Sequence, residues 1–392
     1  MIAVKNALEI VKSKTTYLKE KTTKPVEKSN TYRLYEDVYS PINMPPFRQS
    51  AMDGYALNLH DNLTYKLIGE VKAGDTIAPT LKQGEAVRIF TGAPVPDTAN
   101  AVVMQEKVTV NGNGLTVETQ PSLEHNIRPI GEQVKNGDLA LKRGTKLTPA
   151  AIGYLSALGI KEISVFKKPS IAILTTGNEL IAPGQPLSHG KIYESNSSML
   201  LSALYGLKFY DVSIHKIEDD YNNTFSKLKD LIEQNDMVII TGGISVGDYD
   251  FVGKALKSLN VEQCFYKVKQ KPGKPLFFGK KDNTFVFALP GNPAAALTCF
   301  YVYVYTALQG ITGEQTTELP RIRVKSLSEF KKQGDRAQFL KAIYQNDSVS
   351  ILEGQSSAML QTFAVSNALV YIPEDLFHIK INDFVEVILL PV

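Results

Sequence analysis

The order of apolar and polar positions divides the chain into regions of different texture. Ile2, Val4, Leu8, Val11 and Leu18 approximate a helical stripe. An irregular stretch ending in Pro45 and Pro46 follows. From about Tyr65 to Val117, short alternating runs such as YKLIGEV, EAVRIF, AVVMQEKVTV and LTVETQ are broken by Gly and Asn and predict a small β-rich unit. Thr148 as N-cap, Pro149 in the first turn, Ile152, Leu155 and a terminating Gly159 predict a helix over 148–159. Beyond Pro169, apolar strands (IAILTT, MVIIT, CFYKV, TFVFAL) alternate with helical segments (MLLSALYGL, FSKLKDLIEQ, VGKALKSL, PAAALTCFYVYVYTAL). That alternation predicts a mainly parallel sheet covered on both faces. After about Glu318, the runs IRVKSL, AQFLKAIY, SVSILEG, ALVYIP and FVEVILLPV predict a small all-β domain.

A length of 392 residues implies two to four domains. A formal net charge of +3 gives no reason to expect nucleic acid as a partner. Cys264 and Cys299 are the only cysteines, form no CxxC, and are read as two buried thiols. No apolar run reaches the roughly 20 residues of a membrane helix, and the N-terminus lacks a continuous signal-peptide core. A cytoplasmic protein without a membrane partner is expected.

In a parallel sheet, ligands bind beyond the carboxyl ends of the strands. Three loops lie there. The first is Gly177-Asn178-Glu179, which turns the chain and places an acid at the rim. The second is TGGISVGDYD, where Gly242, Gly243, Ser245 and Gly247 form a backbone nest for an anion; Asp248 and Asp250 beside it suggest a bridging Mg2+. The third is LPGNP, in which Pro290, Gly291 and Asn292 lead into a helix whose free N–H groups favour an anion. Lys267, Lys269 and Lys271 recur at period two, which on a strand puts three like charges on one face suited to a polyanion, with Lys274 just beyond. The five histidines are scattered, and no GxSxG or Walker A loop is present.

The stretches PPFRQSAMDGYA, IFTGAPVP, NIRPIGE, AILTTGNEL, TGGISVGDYD, KPGKP and LPGNP occur together in this order. Their set resembles the molybdopterin molybdenumtransferase family, which includes the E domain of gephyrin. The resemblance implies a multidomain α/β and β protein: a central molybdopterin-binding α/β domain over 169–314, a β-rich inserted domain over 44–125, an N-terminal helical and linker domain over 1–43 plus 126–168, and a C-terminal β-barrel-like domain over 315–392. It implies an elongated homodimer that takes adenylylated molybdopterin and molybdate and, with Mg2+, releases molybdenum cofactor and AMP. A molybdopterin adenylyltransferase and recipient molybdoenzymes would be its further partners.

Residue by residue, the resemblance gives catalytic roles to Asp53, Glu179, Asp250, Lys267 and Lys271. It gives substrate contacts to Thr91 and Lys274, and to Arg336 and Ser357, which in the family face the partner's cleft. For the metal it gives Glu179, Asp250 and one acid of the Asp219-Asp220 pair, here taken as Asp220. The chain departs from the pattern at Asn100, Gln133 and Glu194, where Asp is frequent, and at Lys341, where Arg is expected. A non-catalytic pterin-binding scaffold, an adenylyltransferase and a competence-protein-like nucleotide hydrolase are the rival readings. The flanking motifs argue against the second.

Overall fold

The computed structural model describes residues 1–15, 20–77, 79–244, 251–314 and 316–392. Two compact units divide the chain: Met1–Thr22 with Phe166–Val392, and Thr23–Val165.

The larger unit is built on a six-stranded sheet. Val212–Ile217, Ile171–Thr176, Met237–Thr241 and Thr284–Leu289 lie side by side in that order and run parallel. Phe277–Lys281 and Glu262–Tyr266 complete the sheet as antiparallel strands. Every side chain of the three central parallel strands is buried, as the unbroken apolar runs predict. Alternate residues feed opposite cores. Ile171, Ile173, Met237, Ile239, Phe285 and Phe287 face the helices Val4–Lys14, Asn196–Gly206 and Pro293–Cys299. Ala172, Leu174, Val238, Ile240, Val286 and Ala288 face Tyr221–Gln234 and Phe251–Ser258. The N-terminal stripe is carried by Val4, Ala7, Leu8 and Val11; its helix ends at Lys14, and Leu18 lies outside the described residues.

The helix Pro293–Ile311 is 19 residues long and apolar enough to cross a membrane by length and composition. Its side chains, from Ala294 to Ile311, are instead largely buried in the protein core. An apolar surface on all sides is what a central core helix needs.

Two strands were not legible as such. Val212–Ile217 is an edge strand with half-exposed side chains, so its apolar signal is diluted by His215 and Lys216. Phe277–Lys281 ends in Gly279, Lys280 and Lys281. The period-two lysine row is corrected. The strand ends at Tyr266, because Lys267 has a φ of 64° and turns the chain. Lys269 is held by Asp335 at 3.0 Å and Glu374 at 3.2 Å. Three lysines on one strand face do not occur. The cysteine reading holds for Cys299, whose thiol burial pushes up to about 12, whereas Cys264 is only half-buried.

The C-terminal strands close on themselves. Ala337–Gln345, Ser348–Ile351, Arg321–Ser326, Phe384–Leu389 and Ala368–Ile372 pair in sequence, and the last returns to the first. Closure removes the free edges, giving the barrel-like domain around Val324, Leu340, Val370 and Val387.

The smaller unit holds a six-stranded sheet in the order Ala101–Met104, Gly54–Leu57, Glu85–Ile89, Thr64–Val71, Gly114–Val117, Val108–Asn111. Apart from it, Leu34, Leu147, Leu155 and Val165 form a second core. The predicted helix there is Pro149–Ala157, with the Thr148 hydroxyl accepting from the Ala151 N–H.

Candidate functional site

A cleft of about 520 Å³ opens at the carboxyl ends of the parallel strands. Thr176 and Thr241 end two of these strands, and the loops after them line the opening with Gly177, Glu179, Gly242 and Gly243. Pro290, Gly291 and Asn292 enter from the end of a third strand. Three loops remote in sequence thus converge because their strands are neighbours in register.

Glycine is required in this floor by close approach. A Cβ on Gly242, whose φ is 87°, would lie 2.5 Å from the Thr176 carbonyl oxygen. A Cβ on Gly243 would lie 2.7 Å from the Thr176 hydroxyl. A Cβ on Gly177 would lie 2.8 Å from both carboxylate oxygens of Glu179, so the bare backbone there lets that carboxylate fold back. The remaining nest residues, Ser245 and Gly247, and the acids Asp248 and Asp250 lie outside the described residues.

The two neighbouring acids separate in role. Asp220 is the N-cap of Tyr221–Gln234, its carboxylate accepting from the Asn223 N–H at 2.8 Å. Asp219, not Asp220, lines the cleft with Glu179, and its N–H donates to Asn178 Oδ1 at 3.1 Å. No group of three His, Cys, Asp or Glu side chains is gathered as a ligand set among the described residues. Two carboxylates still suit Mg2+, which keeps waters and substrate phosphate oxygens as its other ligands. Glu194 also reaches the cleft, where its carboxylate accepts from the Ser197 N–H at 2.9 Å and the Ser197 hydroxyl at the start of Asn196–Gly206. That position stabilises the helix through its dipole.

The lysines are dispersed. Lys274 is exposed and adjoins Pro275 on the cleft wall. Lys271 opens into a separate cavity of about 170 Å³ with Gln338 and Gln355. Lys267 lies with its ammonium 4.9 Å from the Tyr266 ring centre. The Arg336 guanidinium donates to the Gln270 carbonyl at 3.4 Å.

Ser357 reaches the LPGNP turn of its own chain. The Asn292 amide donates to its hydroxyl at 2.8 Å, and its carbonyl accepts from the Ala295 N–H at 3.2 Å. The loop carrying Ser357 is held from beneath by Lys341. This buried ammonium donates to the carbonyls of Gly354, Ser356 and Met359 at 2.7, 3.1 and 3.0 Å. Burial holds its pKa below the ordinary lysine value. Lys341→Met keeps the stem but removes the shared donor from three carbonyls, of which that of Ser356 keeps the Met359 N–H at 3.2 Å. It should cost about 2–4 kcal/mol in urea unfolding. It should also loosen the cleft wall at Ala358, whereas Lys341→Arg should retain most of both. Wild-type unfolding by the Met variant would contradict this role.

In the smaller unit, Asp53 and Thr91 meet. The Thr91 N–H and hydroxyl donate to one Asp53 oxygen at 2.7 and 2.8 Å. Those two bonds, the backbone one first, hold the exposed Asp53 carboxyl below the usual carboxylate range. A depressed folded-state pKa contributes stability above the unfolded value that is lost as pH falls through the folded one. Asp53→Asn should therefore melt below wild type near neutral pH, with the gap closing as acidification passes below the ordinary aspartate range. A constant gap would remove the carboxylate as its source. Arg88 lies beside this pair, between the rings of Tyr55 and Phe90 at 5.0 and 5.2 Å. Of the departures from the family pattern, Asn100 accepts from the Leu59 N–H at 3.0 Å, and Gln133 is exposed.

Thr176, Asn196 and Asp219 are cleft residues that sequence reading did not select as site residues. Asn196 looks like an ordinary helix start. Its amide donates to the Thr241 hydroxyl at 2.9 Å and to the Gly291 carbonyl at 2.8 Å, tying together two strand ends.

Residues 2–159 match the MoeA N-terminal region (domains I and II), residues 172–310 a probable molybdopterin binding domain, and residues 323–390 the MoeA C-terminal region (domain IV). The chain is 34% identical over 362 residues to a molybdopterin molybdenumtransferase of Haemophilus influenzae, covering 90% of this chain and 89% of that one. It is 33% identical over 352 residues to one from Staphylococcus aureus, covering 87% of this chain and 83% of that one. The crystal structure of a molybdopterin biosynthesis protein from Pyrococcus horikoshii superposes with a TM-score of 0.84 at 29% identity, covering 99% of this chain and all of that one.

Proposed function

Because the chain belongs to the molybdopterin molybdenumtransferase family, whose members insert molybdenum into molybdopterin, we propose that its substrate is adenylylated molybdopterin, that molybdate is the metal source, and that Mg2+ assists the release of AMP. The observation that carries this reading is the cleft itself. It sets Glu179 and Asp219 beside glycine turns and the start of the Pro293–Cys299 helix, at the carboxyl ends of parallel strands.

Glu179 and Asp219 would hold Mg2+, with Asp250 as the further acid drawn from sequence. Mg2+ supplies polarisation of the phosphoanhydride when bound. The chain's own groups position the substrate and neutralise its charge. Backbone N–H groups in the glycine turn after Thr241 face anionic oxygens, and Lys274 adds a cation at the rim. The resemblance adds the positive charge of Lys267, Lys271 and Arg336. The sulfur ligands of molybdenum come from the pterin, so a chain with only two cysteines needs none of its own.

The reading includes a homodimer in the cytoplasm that receives substrate from an adenylyltransferase and passes product to molybdoenzymes. AMP release from adenylylated molybdopterin, followed with Mg2+ and with or without molybdate, is the test. Molybdate-dependent release with formation of active cofactor is expected. Tight binding without release would leave a pterin-binding scaffold instead.

A further inference from the structure

Gln270 and Tyr303 are fully buried, and neither is a residue that the sequence singles out. Polar groups kept out of water at a cost are found where they fix something. The Pro272 and Gly273 carbonyls can only accept, so the group facing them at 3.1 and 3.2 Å is the Gln270 amide nitrogen. That leaves Gln270 Oε1 as an acceptor, and the Tyr303 hydroxyl donates to it. Burial holds the Tyr303 phenol well above its ordinary pKa, so it stays a donor. The Gln270 side chain thus commits its nitrogen to one turn and its oxygen to the core helix.

Tyr303 lies in Phe300–Val304, where the core helix winds as a π-helical turn, a feature that recurs at functional sites. Cys299, four residues earlier, meets the same amide nitrogen at 3.5 Å. The turn is pressed onto this helix: a Cβ on Gly273 would lie 2.4 Å from Cys299 Sγ. The Val268 N–H donates to the Lys274 carbonyl at 3.0 Å and closes the loop over the Gln270 side chain. Lys271 and Lys274 flank the Pro272-Gly273 turn on either side. A lysine side chain is flexible, so what the fold can set is where each stem begins.

We propose that Tyr303 and Gln270 are positioning residues: the phenol orients the Gln270 amide, the amide fixes the Pro272-Gly273 turn, and the turn sets the spacing and direction of Lys271 and Lys274. This rests on the reading that the two lysines hold anionic groups of molybdopterin. Neither Tyr303 nor Gln270 touches the substrate. Their effect on binding is therefore expected only through the lysines, and only while the lysine charges act.

The test titrates the full chain with metal-free molybdopterin at low and at high salt, well below the melting temperature of each variant. Tyr303→Phe removes only the hydroxyl that orients the amide. Gln270→Met keeps the length of the side chain and removes the turn's donor, and either variant carries the test if the other does not fold. Each should weaken binding by about tenfold at low salt, the scale of one contact to a charged group, and by much less at high salt, where the lysine charges are screened. A Lys271→Met/Lys274→Met chain should also bind weakly, and adding Tyr303→Phe or Gln270→Met to it should lower the affinity no further. A merely structural role would lower the melting temperature without this dependence on salt and on the lysines. Wild-type affinity in a folded Tyr303→Phe or Gln270→Met protein would overturn the proposal, as would an equal loss with and without the lysines. Wild-type binding by the chain lacking both lysines would overturn the lysine reading, and the proposal with it.

Discussion

Glu179→Gln is expected to lower molybdate-dependent cofactor formation by at least about 100-fold, the scale on which removing a single charge-stabilising group acts at a reacting centre. The melting temperature should stay within about 1 °C of wild type. Both halves of this expectation come from the same geometry. The Glu179 side chain is exposed at the cleft and makes no hydrogen bond to another side chain or to backbone among the described residues, so its removal breaks nothing that holds the fold. Exposed substitutions of that kind usually change stability by less than about 0.5 kcal/mol. Glutamine keeps the size and one acceptor oxygen but removes the charge a divalent cation requires. The carboxylate is also placed by its neighbour, because only a glycine at 177 leaves room for it to fold back. Gly177→Ala should therefore reproduce part of the activity loss by displacing Glu179. A folded Glu179→Gln protein with wild-type turnover would remove the acid from the mechanism.

The largest expected effect on stability lies at Gly54, beside Asp53 in the same short motif. A Cβ there would sit 1.9 Å from the Val103 carbonyl oxygen and 2.8 Å from the carbon bearing it. Both belong to a paired strand, Ala101–Met104, on one side of Gly54–Leu57, and Glu85–Ile89 closes the other side. Backbone held on two sides cannot retreat by the ångström or more that alanine needs. Gly54→Ala should therefore cost about 3–5 kcal/mol, the upper range for a single substitution. Circular dichroism during urea unfolding should show the loss as a transition moved to lower denaturant. An unchanged midpoint would mean the strands separate more readily than their pairing indicates. The motif thus carries two kinds of information: Asp53 offers a carboxylate, and Gly54 lets the sheet that presents it form.

The strands Ile171–Thr176, Met237–Thr241 and Thr284–Leu289 were legible because burial on both faces leaves unbroken apolar runs. Their alternation with helices implied a parallel sheet, and that in turn placed the cleft at the loops after them. Edge strands were harder. Val212–Ile217 has one sheet neighbour and half-exposed side chains, so its composition resembles a loop. The lysine row shows where periodicity misleads: spacing of two means a shared face only while the backbone stays extended, and Lys267 breaks it with a φ of 64°.

Sequence by itself determined the classes of element, the succession of an α/β sheet by a closing β domain, and Glu179 as a cleft acid, since each depends on local pattern or on one strand's end. Tertiary structure alone separates the positions of Asp219 and Asp220. Adjacent in sequence, they differ in that one carboxylate is committed to a helix N-terminus and the other is turned to the cleft. It also decided that Lys341 braces the loop carrying Ser357, and that Asn196 joins Thr241 to Gly291 across 45 and 95 residues. Whether a polar atom is satisfied depends on what the rest of the chain brings within about 3 Å of it, and no local pattern records that distance.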